Sequence, residues 1–483
     1  MPFDGIQDYA AALERRGELH TIGVEVDPEL EITEIADRAL RARAPALRFL
    51  RPRGHRWPVL INLFGTLERT AFALGVDDLN DIGQRLHSLL HTQPPSTFLD
   101  KLRALPRLAE IASWAPRTVN RAPCQEVVED RPSLLDLPAL KCWPQDGGRF
   151  LTLPLVITHH PETGQRNVGM YRMQLYDERT AGLHWHPHRV GAEHYRCHEA
   201  SGKRMPIAVA LGGDPAVIYA ATAPLPEDLD EMLFAGFLRQ RAVEMVPCRT
   251  IELEAPADAE FVLEGYAEPG ERRREGPFGD HTGYYSAPDD FPVFHLTAIT
   301  RRAAPVYPAT VVGRPPKEDC FLGKATERIF LPLLRMQLPE ILDLNLPAEG
   351  IFHNLAIVRL RKRYPGHAYK VMHALWGLGQ MMFTKIIVVV DEEADAQDLS
   401  EVIWRVGNHI DPERDLCFVR GPVDILDHAS RLPGFGSKMG IDATRKWPGE
   451  GFARPWPEAV EMTPEAKARV DALWPQLGLG ERR

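Results

Sequence analysis

The sequence contains no pair of cysteines at C-x-x-C spacing, and its six cysteines (Cys124, Cys142, Cys197, Cys248, Cys320 and Cys417) lie far apart. This excludes thiolate zinc sites and suits reduced, mostly buried thiols in a cytosolic protein. Runs of basic residues are no longer than ERRR at 271–274, and the formal net charge is −10. A nucleic-acid binder ordinarily carries a basic face, so nucleic acid is not an expected partner. No apolar run approaches the ~18 residues that a membrane span needs. The opening segment MPFDGIQDYAAALERRGEL has early acidic residues and an amphipathic period, unlike a signal peptide. There is no internal repeat. These absences lead to the expectation of a cytoplasmic protein with no transmembrane segment.

At 483 residues the chain is too long for one hydrophobic core, so two or three domains are expected. The 42 prolines and 37 glycines are spread along it, which argues for many turns and short elements rather than a disordered tract. The first hundred residues read as mostly helical. In DPELEITEIADRALRA the residue Asp27 offers a cap, with Pro28 at the first helical position. WPVLINLFG (57–65) reads as a buried strand, and LNDIGQRLHSLLH as another helix. From about Ala122 to Thr310 short β-branched and aromatic runs alternate with turns, the texture of a sheet-rich domain or partly open barrel. The helix EDLDEMLFAGFLRQ interrupts it. In the last third RIFLPLLRMQLPEILDLNL and HAYKVMHALWGLGQMM are helical by period. TKIIVVVDEEAD is an aliphatic strand, apolar on both faces as in a parallel α/β layer.

Three stretches are dense in polar function. HWHPHR (184–189) places three histidines at alternate positions, so a regular strand would project His184, His186 and His188 together. Pro187 allows that only at an edge or bulge. The readings are a polar-blunted edge strand or a three-histidine zinc site, and nothing local specifies the supporting groups that zinc needs. EGPFGDHTGYY (275–285) brings Glu275 and Asp280 toward one point across a glycine turn. Paired carboxylates ionise together only at high cost, so one is expected protonated, as a general acid, while a nearby arginine keeps the other charged. Glu231 lies among Met232, Leu233 and Phe234, either as a solvated residue or as a ligand aimed inward.

NVGMYRMQ, HWHPHR, VALGGDP, DEMLFAGFLR, EGPFGDHTGYY, GRPP, YPGHAYKVM, FTKIIVVVD and GSKMGIDATRKWPGE occur in the order of the signature segments of the UbiD family of reversible (de)carboxylases, which the chain resembles from about residue 4 to about 450. The resemblance implies an α/β protein with an N-terminal α/β cap (1–115), a central split β-barrel flavin-binding domain (116–315), a C-terminal α/β oligomerisation domain (320–455) and a tail (456–483). It implies prenylated FMN as cofactor, supplied by a flavin prenyltransferase, with Mn2+ or Mg2+ and a K+ at the phosphate. The implied metal ligands are Asn167, His188 and Glu231, a mostly hard donor set that favours manganese or magnesium over zinc. The implied flavin contacts are Met170, Tyr171 and Arg172 on one segment, His184, Trp185, His186, Arg189 and Val190 on a second, and Lys385. Lys385 also reads as a strand-end lysine with a snorkelling stem.

Arg172, Glu275 and Asp280 match the family's catalytic arginine and two acids. Asp280 is then the proton donor, while Arg172 and Glu275 orient the substrate carboxylate. The cofactor takes the electrons and the protein positions the reactants. The implied activity is non-oxidative decarboxylation of an aromatic hydroxyarene acid, a ubiquinone or menaquinone precursor such as 4-hydroxy-3-polyprenylbenzoate. The alternatives are a simpler phenolic, heteroaromatic or acrylic acid as substrate, or a non-catalytic flavin-binding homologue. A homodimer or homohexamer is implied, with any membrane contact made through a lipophilic substrate. The chain departs from quinone-pathway relatives at HRVGA, where they have an HRGG-like run, and in its extra histidines His184 and His186.

Overall fold

The computed structural model describes residues 3–90, 109–226 and 228–478. The expected N-terminal span and tail therefore extend in part outside the described residues, as does Glu227 of the expected helix EDLDEMLFAGFLRQ. Helix α1 (Ile6–Arg15) buries Ile6, Tyr9, Ala10, Ala12 and Leu13 along one stripe. Strand β1 (Leu19–Val26), helix α2 (Glu31–Arg41), strand β2 (Ala46–Pro52) and strand β3 (Val59–Ile61) follow, with β1 and β2 parallel and β3 antiparallel to β2. Tyr307–Pro308 returns from the centre of the chain to pair with β3. The opening region thus contains strands that helical periodicity did not reveal.

Helix α2 starts at Glu31, not at Pro28. Leu30 donates its N–H to the Lys141 carbonyl at 2.9 Å and sits at φ 71°, so a long-range pairing holds residues 29 and 30 outside the helix. The Glu31 carboxylate reaches back to the Asp27 N–H at 2.8 Å. Tertiary pairing here overrides a local start signal.

The central sheet is wholly antiparallel. Its main strands are β4 (Pro154–His159), β5 (Arg166–Met170), β6 (Met173–Leu175), β7 (Thr180–Leu183), β8 (Met205–Leu211), β9 (Phe261–Glu275) and β10 (Asp289–Arg301). Their order is β6-β7-β10-β9-β8-β4-β5, with Phe150–Leu151 beyond β6. The path does not close into a barrel, but β5 and the β6 end of the path are consecutive in sequence. Only Tyr171 and Arg172 separate them. The sheet is therefore rolled until its two ends meet at a seam, and Arg172 stands in that seam.

After a helix at Val190–Ala200 (α3), helix α4 runs Glu231–Arg239 with Asp230 capping Met232 N at 2.6 Å. It is shorter than the expected helix over 227–240 because that cap starts it late. Helix α5 spans Glu318–Gln337, ten residues earlier than periodicity suggested, and it ends one residue before the Leu338–Pro339 pair. A residue preceding proline disfavours the α region, which stops the helix there. Ile341–Asn345, expected to continue the helix, is strand β11.

The C-terminal sheet has the order β11-β12-β13-β15-β14, where β12 is Leu355–Leu360, β13 Ile386–Asp391, β14 Leu416–Pro422 and β15 Phe435–Asp442. Strand β13 is parallel to both neighbours. Ile387 and Val389 join one core with the helix His367–Trp376, and Val388 and Val390 join another near the helix Leu399–His409. Two covered faces account for its unbroken aliphatic sequence, at ~1.5–3 kcal/mol per fully buried side chain. The helical reading of HAYKVMHALWGLGQMM holds as far as Trp376, after which a short 3-10 turn spans Gly379–Phe383.

Candidate active site

Arg172 lies at the seam of the central sheet, and its guanidinium engages two acids. Its Nε donates to Glu275 Oε1 at 3.0 Å, Nη1 pairs with Asp280 Oδ2, and Nη2 donates to the Ser286 hydroxyl at 3.1 Å. The Arg172 Cζ also lies 4.4 Å from the Phe278 ring centre. Glu275 is the last residue of β9 and is fully buried; Asp280 is 5% exposed. Gly276, at φ 89°, turns the chain out of β9 in a conformation that disfavours other residues. The turn is then pinned from outside. Gln174 Oε1 accepts from Gly276 N at 2.7 Å, and Asp146 Oδ1 accepts from Gly279 N at 2.8 Å.

The charge state differs from the expectation of one protonated and one ionised acid. Burial opposes ionisation of both carboxylates, but His184 and Arg172 hold Glu275 down at about 2. Arg172 and His281 hold Asp280 well below the usual carboxylate range. One guanidinium shared by two acids, with an imidazole on each, keeps both ionised.

HWHPHR is not a strand. Strand β7 ends at Leu183 and residues 184–189 form an irregular connection into α3, so the three histidines do not share a strand face. His184 Nδ1 meets Glu275 Oε2 at 3.0 Å, and its Nε2 meets His186 Nε2 at 2.7 Å. Trp185 is buried against Tyr171 and Tyr195. His188 is exposed and packs beside Phe383 at 5.0 Å between ring centres. Among the described residues no group of three or more His, Cys, Asp or Glu side chains is arranged to hold a metal, which leaves the zinc reading without a site.

Asn167 and Glu231 form a second polar centre. Asn167 is buried on β5, and among the described residues its amide nitrogen makes no geometrically sound hydrogen bond. Glu231, the first residue of α4, accepts the neighbouring Val168 N–H at 3.0 Å. Burial raises its carboxyl to about 7. A buried carboxylate short of positive charge suits a hard divalent cation, for which the Asn167 amide oxygen could serve as a second oxygen donor. Met170 donates its N–H to the Ala221 carbonyl at 3.1 Å, and the Tyr171 hydroxyl is buried. Arg189 is exposed at the N-terminus of α3, followed by Val190. Lys385 pairs with Asp427 at 2.9 Å, just before β13.

Family models for the N-terminal, Rift-related and C-terminal domains of 3-octaprenyl-4-hydroxybenzoate carboxy-lyase match residues 10–86, 117–315 and 320–443. The chain belongs to the UbiD family. It is 51% identical over 99% of both chains to an uncharacterized protein of Archaeoglobus fulgidus. The closed form of the vanillic acid decarboxylase of Sedimentibacter hydroxybenzoicus superposes with TM-score 0.85 at 28% identity, covering 99% of both chains. The UbiD-class enzyme HmfF of Pelotomaculum thermopropionicum, solved with FMN, gives TM-score 0.79 at 31% identity over 94% of this chain and 97% of that one. An evolved dimeric form of HmfF, solved with prFMN, gives 0.78 at 29% identity over the same shares. The protein is thus a carboxy-lyase of the UbiD class of aromatic acid decarboxylases. Among the described residues no helix is long and apolar enough to cross a membrane.

Sequence reasoning missed a set of residues around Asp280. His281 Nδ1 lies 2.8 Å from Asp280 Oδ1, and its Nε2 lies 2.9 Å from His353 Nε2. His353 follows Ile351 and Phe352, which stand at φ 49° and 50°. Two successive non-glycine residues in the left-handed region, one of them β-branched, are strained, and such strain clusters at functional sites. His281, beside Asp280 in GDHTG, was legible as a candidate. His353 lies 72 residues away in another sheet unit, and no local pattern marks it.

Proposed function

We propose that the chain is a prenylated-FMN-dependent, non-oxidative decarboxylase of a hydroxyarene carboxylic acid. The observation that carries this reading is the buried cluster of Arg172, Glu275 and Asp280, with Arg172 bonded to both acids. A binding protein gains nothing from burying two ionised carboxylates around one arginine, since such burial is costly. Arg172 is suited to hold a substrate carboxylate, because its guanidinium already presents carboxylate-binding geometry to Glu275. Glu275 limits that grip and Asp280 delivers the proton. When bound, prenylated FMN supplies the electron sink for loss of carbon dioxide.

Asn167 and Glu231 are the residues to hold Mn2+ or Mg2+, with His188 as third ligand. The raised carboxyl of Glu231 supports this, since a cation would supply the missing charge. Arg189, at the start of α3, would bind the cofactor phosphate, since a guanidinium at a helix N-terminus suits an anion; K+ would be a further counter-ion. Met170, Tyr171, His184, Trp185, His186, Val190 and Lys385 are the remaining cofactor contacts in this reading.

For the substrate, the first reading is a quinone-pathway acid of the 4-hydroxy-3-polyprenylbenzoate type, as the family description suggests. A simpler phenolic acid is the second reading, favoured by the likeness to a vanillic acid decarboxylase over 99% of both chains. The test is co-expression with a flavin prenyltransferase, then assay of carbon dioxide release from polyprenylated hydroxybenzoate, vanillate and 4-hydroxybenzoate. Activity only after co-expression supports the cofactor, and activity without it overturns that assignment. Asp280→Asn is expected to lower kcat by about 10²-fold or more while the flavin stays bound.

A further inference from the structure

We propose that His281, oriented by His353 from the C-terminal sheet unit, is the immediate proton source for Asp280. This rests on the reading of Asp280 as proton donor. Decarboxylation replaces carbon dioxide on the substrate by one proton, and an ionised Asp280 has none to give. Asp280 Oδ2 faces Arg172, which does not release protons. Asp280 Oδ1 faces the His281 ring nitrogen Nδ1 at 2.8 Å and also accepts the His281 backbone N–H.

The environment favours a charged ring. Burial lowers the proton affinity of His281, but Asp280, Asp319 in the first turn of α5 and Asp424 beyond β14 outweigh it and raise the ring above its ordinary value. Burial, with the charges of His281 and Arg189, pushes His353 down to about 4 against the opposing pull of Asp424. The proton shared by the two rings therefore resides on His281. Neutral His353 accepts it at Nε2, which aims the opposite N–H at Asp280. Phe352 stacks on the His281 ring with centres 5.6 Å apart and fixes its plane.

The balance over one turnover is as follows. The Nδ1 proton of the His281 imidazolium moves to Asp280 Oδ1, and Asp280 passes one proton to the carbon that loses carbon dioxide. His281 is left neutral, keeping its Nε2 proton in the hydrogen bond to His353, and a proton from solvent restores the imidazolium after product leaves. One proton is consumed per carbon dioxide released.

Two measurements test this. On the protein without cofactor, the guanidinium-chloride midpoint of wild type and His281→Gln is followed from pH 5.5 to 9. A raised His281 contributes stability that is complete below the ordinary histidine value and lost as pH rises through the folded value. Wild type should therefore lose stability over that alkaline window and His281→Gln should not; equal slopes in the two proteins overturn the proposal. On the holoenzyme, with whichever acid of the panel is turned over, His281→Gln should lower kcat by about 10²-fold with KM and the flavin spectrum unchanged. His353→Gln should move the alkaline limb of kcat to lower pH. Unchanged kcat and pH profile in His281→Gln, with Asp280→Asn inactive, defeats this proposal alone. Retained activity in Asp280→Asn defeats the underlying reading instead.

Discussion

Glu275 and Glu231 both belong to the central unit, one closing β9 and the other opening α4, yet their charges are met in opposite ways. Glu275 is fully buried and still ionises readily, because Arg172 and His184 approach its two oxygens. Glu231 has a backbone N–H and a more distant arginine, and its carboxyl rises to about 7. The first centre carries its counter-charge in the chain itself. The second is short of one, and that deficit is what a bound cation would fill. Burial alone therefore does not fix the charge of an acid; the charges that accompany it do.

The comparison breaks most severely if Arg172 is removed. Arg172→Leu strands two buried carboxylates and is expected to cost about 3–5 kcal/mol in urea unfolding at pH 7, with activity abolished. The pH dependence should also invert. In wild type the low value of Glu275 contributes stability above the ordinary glutamate value, lost as pH falls toward about 2. Without the arginine both acids prefer their protons, so stability should rise as pH falls from 7 to 5.

Glu231→Gln sharpens the other side. Because the folded value of Glu231 is raised, the wild-type chain loses stability as pH rises from the ordinary glutamate value to about 7. The variant without metal should be more stable than wild type above pH 7. The ~2.7 kcal/mol that Mn2+ at a hundredfold excess over Kd would add to wild type should disappear. A metal titration followed by thermal unfolding reads both effects at once.

The smallest effect is expected at His184. His184→Ala removes a hydrogen bond from Glu275 and another from His186, while Arg172 still holds the acid. The loss should be about 1 kcal/mol in stability, with KM changing more than kcat. An equally large loss in His184→Ala and Arg172→Leu would show that the imidazole, not the guanidinium, governs this centre.

The convergence of Glu275 and Asp280 on one point was legible because they lie five residues apart across one turn and because a long family motif contains them. Their ionisation was not legible. It depends on Arg172, more than a hundred residues earlier, reaching both acids from the seam of the sheet. The aliphatic β13 was correctly read as a covered parallel strand, since its period reports burial on both faces directly. HWHPHR misled because alternation in sequence reports a common face only while the backbone stays extended, and β7 ends before the first histidine. The start of α2 was misplaced for a related reason: the partner that delays it, Lys141, lies outside any local window.

The seam at Tyr171–Arg172 also bears on how the molecule is made. Its two flanking strands are neighbours in the chain but occupy opposite ends of a sheet whose middle strands, β9 and β10, are translated about a hundred residues later. Contacts of such high sequence separation form slowly and late. A nascent chain that has emerged only as far as β8 holds an arginine with neither of its acids. The cluster that would turn over substrate therefore comes into being only once the whole sheet has assembled, and incomplete chains are synthesised without it.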